Sequence, residues 1–208
     1  MTPLILAPWF LTLTTAATGF IASLRQKRTL VMPKNYLAFF AVVGSIQLVC
    51  FLIRPGEYHI LFWVSEIVHN ILLCVVSVEI IYELLPRRYA ITWILAALLI
   101  LSVRLVLGMP APATEALLNL SITASFTSGV LLILLLFIKV DWKREHALVT
   151  AGVIALLLGD VIPWIGWLKE VLGTGFVTTV QLGPLTGLVL MSIAGFKKRS
   201  SGSVDSPI

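Results

Sequence analysis

The chain has 208 residues, of which 59% are apolar and 12% are charged, and its formal net charge is +5. Soluble domains contain about 45–50% apolar and about 25% charged residues, so this composition argues against a soluble protein. The basic residues stand in short clusters between apolar runs, as in the loops of membrane proteins, and this placement excludes a nucleic-acid-binding protein.

The apolar runs predict transmembrane helices. Stretches such as Ala90–Val103 and Gly129–Ile138 do not alternate polar and apolar residues, which excludes the strands of a membrane β-barrel. About 20 apolar residues are needed for a helix to cross a bilayer, and breaks rich in Pro, Gly and charge separate runs of this length. We predict an all-α, polytopic membrane protein: a seven-helix transmembrane domain over residues 1–199 and a short disordered tail over 200–208. The predicted helices span about 3–24, 36–53, 58–85, 89–107, 115–138, 147–168 and 173–196.

The distribution of basic residues predicts the orientation of these helices. With loops numbered alternately, one side receives twelve of the fifteen Lys and Arg residues, and the other receives Arg54, Arg104 and Lys169. Because basic loop residues stay in the cytoplasm, we predict an N-terminus outside, a C-terminus inside and a multi-pass protein of the cell membrane. The twelve are Arg25, Lys27, Arg28, Lys34, Arg87, Arg88, Lys139, Lys143, Arg144, Lys197, Lys198 and Arg199.

Polar residues inside the predicted spans mark the candidate site, because ionisable groups in a membrane are costly and usually face the bundle interior. On the third helix, at 100° per residue, Glu66, His69 and Asn70 fall on one stripe. Polar residues on other helices lie at a similar depth in the outer half of the membrane. We predict a pocket for ligand binding or proton relay lined by Glu66, His69, Asn70, Arg104, Asp160 and Gln181. The alternative is a structural ion-pair network, in which Arg104 pairs with a carboxylate or extends to the outer headgroups.

The seventh helix carries a predicted hinge. Pro184 removes a backbone hydrogen bond, and Gly183 and Gly187 stand four residues apart. Small residues at that spacing also let membrane helices pack closely, so ordinary packing is the competing interpretation.

Metal, cofactor and catalytic sites are not predicted. Glu66-x-x-His69 has the spacing of ligands in di-metal helical bundles, but those sites need a second such motif and further carboxylates, which the chain lacks. Cys50 and Cys74 lie in apolar segments, as buried thiols do. No Ser/His/Asp order or three-histidine zinc set is present, so we do not predict an enzyme.

Two functions therefore compete, together with a structural role. A receptor-like sensory protein would bind a small polar or amphipathic ligand and shift the packing of the sixth and seventh helices. Its short loops leave no room for a signalling domain, so it would need a cytoplasmic or membrane partner protein. A small-solute transporter, proton-coupled through Glu66, His69 and Asp160, is the first alternative. A membrane scaffold or assembly subunit, held by lipid and protein contacts alone, is the second.

Overall fold

The computed structural model describes residues 3–24, 30–53, 58–106, 113–138, 140–161, 170–171 and 176–194, with the side chains of 3–6, 8, 51, 58–62, 100–106, 113–116, 161 and 176–181 left out. Within these ranges the chain forms seven α-helices and no strand, which confirms the predicted all-α fold. The predicted tail, 200–208, lies outside the described residues. The helices are α1 Pro3–Leu24, α2 Met32–Ile53, α3 Tyr58–Leu84, α4 Arg87–Val106, α5 Ala113–Leu135, α6 Arg144–Val161 and α7 Phe176–Ala194.

Six of the helices form a closed ring. Around the ring α1 packs on α2, α2 on α3, α3 on α5, α5 on α6, α6 on α7, and α7 returns to α1. Helix α4 lies outside the ring against α5 and α3. Buried apolar side chains of the ring helices, including Leu37, Leu73, Leu132, Leu156 and Leu188, form one continuous core.

Helix α2 begins at Met32, four residues before the predicted start, because its first turn is capped by a residue distant in sequence. The Glu79 carboxylate of α3 accepts hydrogen bonds from the backbone N–H groups of Val31 and Met32, at 2.8 and 2.9 Å. Pro33 is tolerated there because the first helical turn needs no donor from it. Lys34 therefore lies in the first turn of α2 and not in the loop before it.

Two other predicted boundaries are also corrected. Helix α6 begins at Arg144 rather than Ala147, since Arg144 is exposed and Glu145 is half-buried, so neither charged side chain is buried in the first turn. Helix α5 ends at Leu135 rather than Ile138, and the next three residues continue with tighter bonds, each N–H donating to the carbonyl three residues earlier. The predicted continuation of the sixth helix over 162–168 lies outside the described residues.

Large apolar side chains cover much of the outer surface of the helical bundle. Phe137 is 84% exposed and Leu99 is 66% exposed, and exposed Val, Leu and Ile residues lie on every helix. By length and composition, two stretches of the described residues, Trp63–Leu84 and Leu117–Leu135, are able to cross a membrane. Monomeric soluble proteins rarely expose a contiguous apolar patch of more than a few hundred Å².

A buried histidine without a described partner lies at the end of the bundle where α2 and α6 begin. His146 is 1% exposed, and within the described part of the chain neither of its ring nitrogens, nor the hydroxyl of Thr150 one turn further along α6, has a hydrogen-bond partner. Burial and the Lys143 ammonium lower the pKa of His146, and the carboxylates of Glu145, Glu83 and Glu79 only partly oppose them.

His146→Leu is expected to stabilise the fold by about 1–3 kcal/mol, because it removes buried nitrogens that have no hydrogen-bond partner among the described residues. The stabilisation should grow as the pH falls below about 6.5, the usual histidine pKa. There the unfolded chain binds a proton that the folded His146, with its lowered pKa, resists binding. Thermal unfolding of both proteins in detergent at pH 7.5 and pH 5.5 measures this. A variant less stable than the wild type at both pH values would contradict the expectation.

Candidate functional site

A pocket of about 240 Å³ lies where α1, α2, α3, α6 and α7 converge. The pocket is only partly enclosed. Among the described side chains, three titratable ones line it: Glu66 and His69, one turn apart on α3, and Asp160 near the end of α6. The structure therefore brings together three of the six side chains predicted for the site.

His69 is held between two partners. Its Nδ1 lies 3.0 Å from the hydroxyl of Tyr36, and its Nε2 lies 3.3 Å from Oδ2 of Asp160. One neutral tautomer satisfies both contacts: the Tyr36 hydroxyl donates to Nδ1, and the Nε2–H donates to the carboxylate. The result is a hydrogen-bonded chain from fully buried Tyr36 to Asp160, whose side chain is 26% exposed at the pocket wall.

The depth of the pocket follows from the helix rise. His69 is fifteen residues from the end of α3, and Asp160 is sixteen from the start of α6, so at 1.5 Å per residue both lie about 22–24 Å from that end of the bundle. Glu66 lies one turn further. Tyr36, in contrast, is only four residues from the start of α2, and its side chain reaches His69 from the opposite direction to the pocket.

Asn70 does not line the pocket. Its Oδ1 accepts a 2.6 Å hydrogen bond from the Ser125 hydroxyl of α5, its Nδ2 donates to the backbone carbonyl of Glu66, and its side chain is buried. Consecutive residues of a helix point about 100° apart, so His69 and Asn70 face different neighbours. Asn70 thus joins α3 to α5.

The other predicted residues lie on α4 and α7. The side chains of Arg104 and Gln181 lie outside the described residues. Pro184 lines the pocket, whereas Gly183 and Gly187 lie at the contact between α7 and α6. A Cβ placed on Gly183 would lie 2.6 Å from the Cα of Gly159, so the two backbones touch there. The predicted hinge movement of α7 stays a prediction.

Several residues that complete the pocket were not predicted. Gln47 donates a hydrogen bond to Ser65 across the wall formed by α2 and α3. Trp9, Phe39 and Phe40 supply an aromatic part of the wall. Gln47 could have been predicted from the sequence, since it is an amide inside an apolar span. The aromatic residues could not, because aromatic side chains occur both in protein cores and at membrane surfaces.

Among the described residues, no group of three or more His, Cys, Asp and Glu side chains is arranged to hold a metal ion. Comparison with known proteins finds no matching family model, no matching curated protein and no matching solved structure.

Proposed function

We propose that this chain is a seven-span protein of the cell membrane, with its N-terminus outside, that binds a small ligand in the central pocket and acts as a receptor-like sensor. The membrane location is supported by the exposed apolar side chains and by the clustering of basic residues on one side. Among the described residues, titratable groups meet in one cavity, and ionisable groups inside membrane spans are costly and therefore mark candidate functional sites.

The observation that carries the proposal is the composition of the pocket wall from five helices. One side is α6 and α7, which pack on each other through glycines, and the other is α1, α2 and α3. If the two sides can adopt two relative positions, a ligand that contacts both sides would bind one of these conformations more tightly than the other. Such a difference in affinity is the requirement for a ligand-driven switch. The signal would leave through a partner protein at the cytoplasmic face.

Transport is the second candidate, and the contact between Tyr36 and His69 favours it. That hydroxyl extends the polar chain from the pocket toward the end where α2 begins, which is the cytoplasmic end in the proposed orientation. Chains of carboxylate and histidine side chains serve as proton relays in transporters.

Adjacent cysteines on α2 test the proposal. Val43 lines the pocket, whereas Val42 is 60% exposed on the outer surface of the ring. The native thiols, Cys50 and Cys74, are both free and would first be replaced by alanine. A charged, membrane-impermeant methanethiosulfonate reagent added to intact cells is expected to modify Val43→Cys and to leave Val42→Cys, which would face lipid, unmodified.

Each alternative gives a different pattern of modification. Faster reaction of Val42→Cys than of Val43→Cys would place the outer surface of the ring in water and overturn the membrane proposal. Reaction of Val43→Cys from both sides, in sealed vesicles of known orientation, would favour an alternating-access transporter over a sensor. An unreactive Val43→Cys would show that the pocket is closed to the outside.

A further inference from the structure

The chemistry of the pocket wall narrows the class of ligand, and this inference rests on the proposed function. Two carboxylates, of Glu66 and Asp160, and one imidazole, of His69, face the same cavity, and no described side chain of the wall belongs to Lys or Arg. With both carboxylates ionised the cavity is negative, and the surrounding helices partly shield it from bulk water. A cation would be attracted, and an anion would be repelled.

The aromatic part of the wall separates organic cations from metal ions. Trp9 of α1 and Phe39 and Phe40 of α2 line the cavity together with the carboxylates. Aromatic faces attract ammonium groups, with tryptophan the strongest, and contribute about 2 kcal/mol or more when the cation is desolvated. A metal ion, by contrast, needs several oxygen or nitrogen ligands at fixed distances.

The cavity has room for a small ligand. Its volume of about 240 Å³ admits a small alkylammonium ion. Gln47 and Ser65 on the same wall offer hydrogen bonds to a hydroxyl attached to such an ion.

We propose that the pocket binds a small organic ammonium ion, with its positive charge between the carboxylates of Glu66 and Asp160 and its alkyl groups against Trp9 and Phe40. The imidazole of His69 positions Asp160 through its Nε2–H and keeps that carboxylate directed at the cavity. The two carboxylates of the wall are the counter-ions of this ligand.

A pair of probes of equal shape and different charge tests this. Choline and its neutral carbon analogue, 3,3-dimethylbutan-1-ol, are titrated into the full chain in lipid nanodiscs, and heat release or thermal stabilisation is recorded. Choline is expected to bind about 30-fold more tightly than the alcohol, the ratio that corresponds to about 2 kcal/mol.

Variants of the wall test which side chains produce this preference for choline. Glu66→Gln and Asp160→Asn, which keep the shape of each side chain, are expected to reduce it. Trp9→Leu is also expected to reduce it, whereas Trp9→Phe should retain most of it. Size-exclusion chromatography shows whether each variant is folded, and one folded carboxylate variant suffices for the test.

The outcomes separate this inference from the proposed function. Equal binding of both probes, or binding of choline that is unchanged in Glu66→Gln and Asp160→Asn, overturns the ammonium assignment. Binding of neither probe while Val43→Cys reacts from outside also overturns it but leaves a pocket for another ligand. Binding of neither probe together with an unreactive Val43→Cys overturns the proposed function itself.

Discussion

His69→Leu and Asp160→Leu are each expected to lower the free energy of unfolding by about 1–3 kcal/mol, whereas the double variant should regain part of that loss. Each single change leaves one half of the contact between Nε2 and the carboxylate without its partner, and the cost is the desolvation of that group. The double change removes both polar groups and fills the space with apolar atoms, but it still leaves the buried Tyr36 hydroxyl without the acceptor Nδ1 of His69, so the gain is partial.

Unfolding in mixed micelles of a mild detergent and sodium dodecyl sulfate measures the four proteins of this double-mutant cycle. Tyr36→Phe is the matched control, since it removes only the hydroxyl on the other side of the imidazole and keeps the ring that packs on His69. Its loss should be about 1 kcal/mol. Two single losses that simply add in the double variant would show that His69 and Asp160 are not coupled.

Gly183→Ala is expected to lower the free energy of unfolding by about 1–3 kcal/mol, although alanine favours a helix by about 1 kcal/mol over glycine. The added methyl group would lie 2.6 Å from the Cα of Gly159 and 2.8 Å from the carbonyl oxygen of Ala155. Both are backbone atoms, so the contact is relieved only if α6 and α7 move apart. Thermal unfolding in detergent measures the loss.

Gly129→Ala is the control for that experiment. A methyl group there would meet only the end of the Leu157 side chain, which is free to choose another rotamer because it borders an apolar groove between α5 and α6. We expect Gly129→Ala to be neutral or stabilising. If Gly183→Ala were equally well tolerated, the contact between α6 and α7 would be loose enough for the hinge movement predicted for α7.

The sequence predicted those residues of the candidate site that stand out from their immediate neighbours along the chain. Glu66, His69 and Asp160 were selected because each is ionisable within an apolar span, and the structure brings all three to one cavity. Asn70 was assigned to the same group because it shares a stripe with Glu66, yet it bonds to Ser125 of α5. The stripe is about 100° wide, enough to face two neighbouring helices, and only the order of helices around the ring decides which side chain meets which neighbour.

Tyr36 illustrates what sequence patterns do not contain. Near the start of a predicted span, a tyrosine indicates a membrane interface, and nothing in its neighbours points to His69, 33 residues away. Its role depends on the vertical offset between α2 and α3. That offset is set in turn by the bonds from Glu79 to the first residues of α2.

The sequence by itself determined the all-helical class, the approximate extent of the helices and the presence of ionisable residues within apolar segments. These properties follow from the local density of apolar and charged residues, which acts on each segment independently of the others. Only the tertiary structure decided that α4 lies outside the ring, that α6 and α7 touch through glycine backbones, and that aromatic side chains of α1 and α2 line one cavity with two carboxylates. Those features depend on the rotation and offset of packed helices, which result from side-chain fit between segments far apart in the chain.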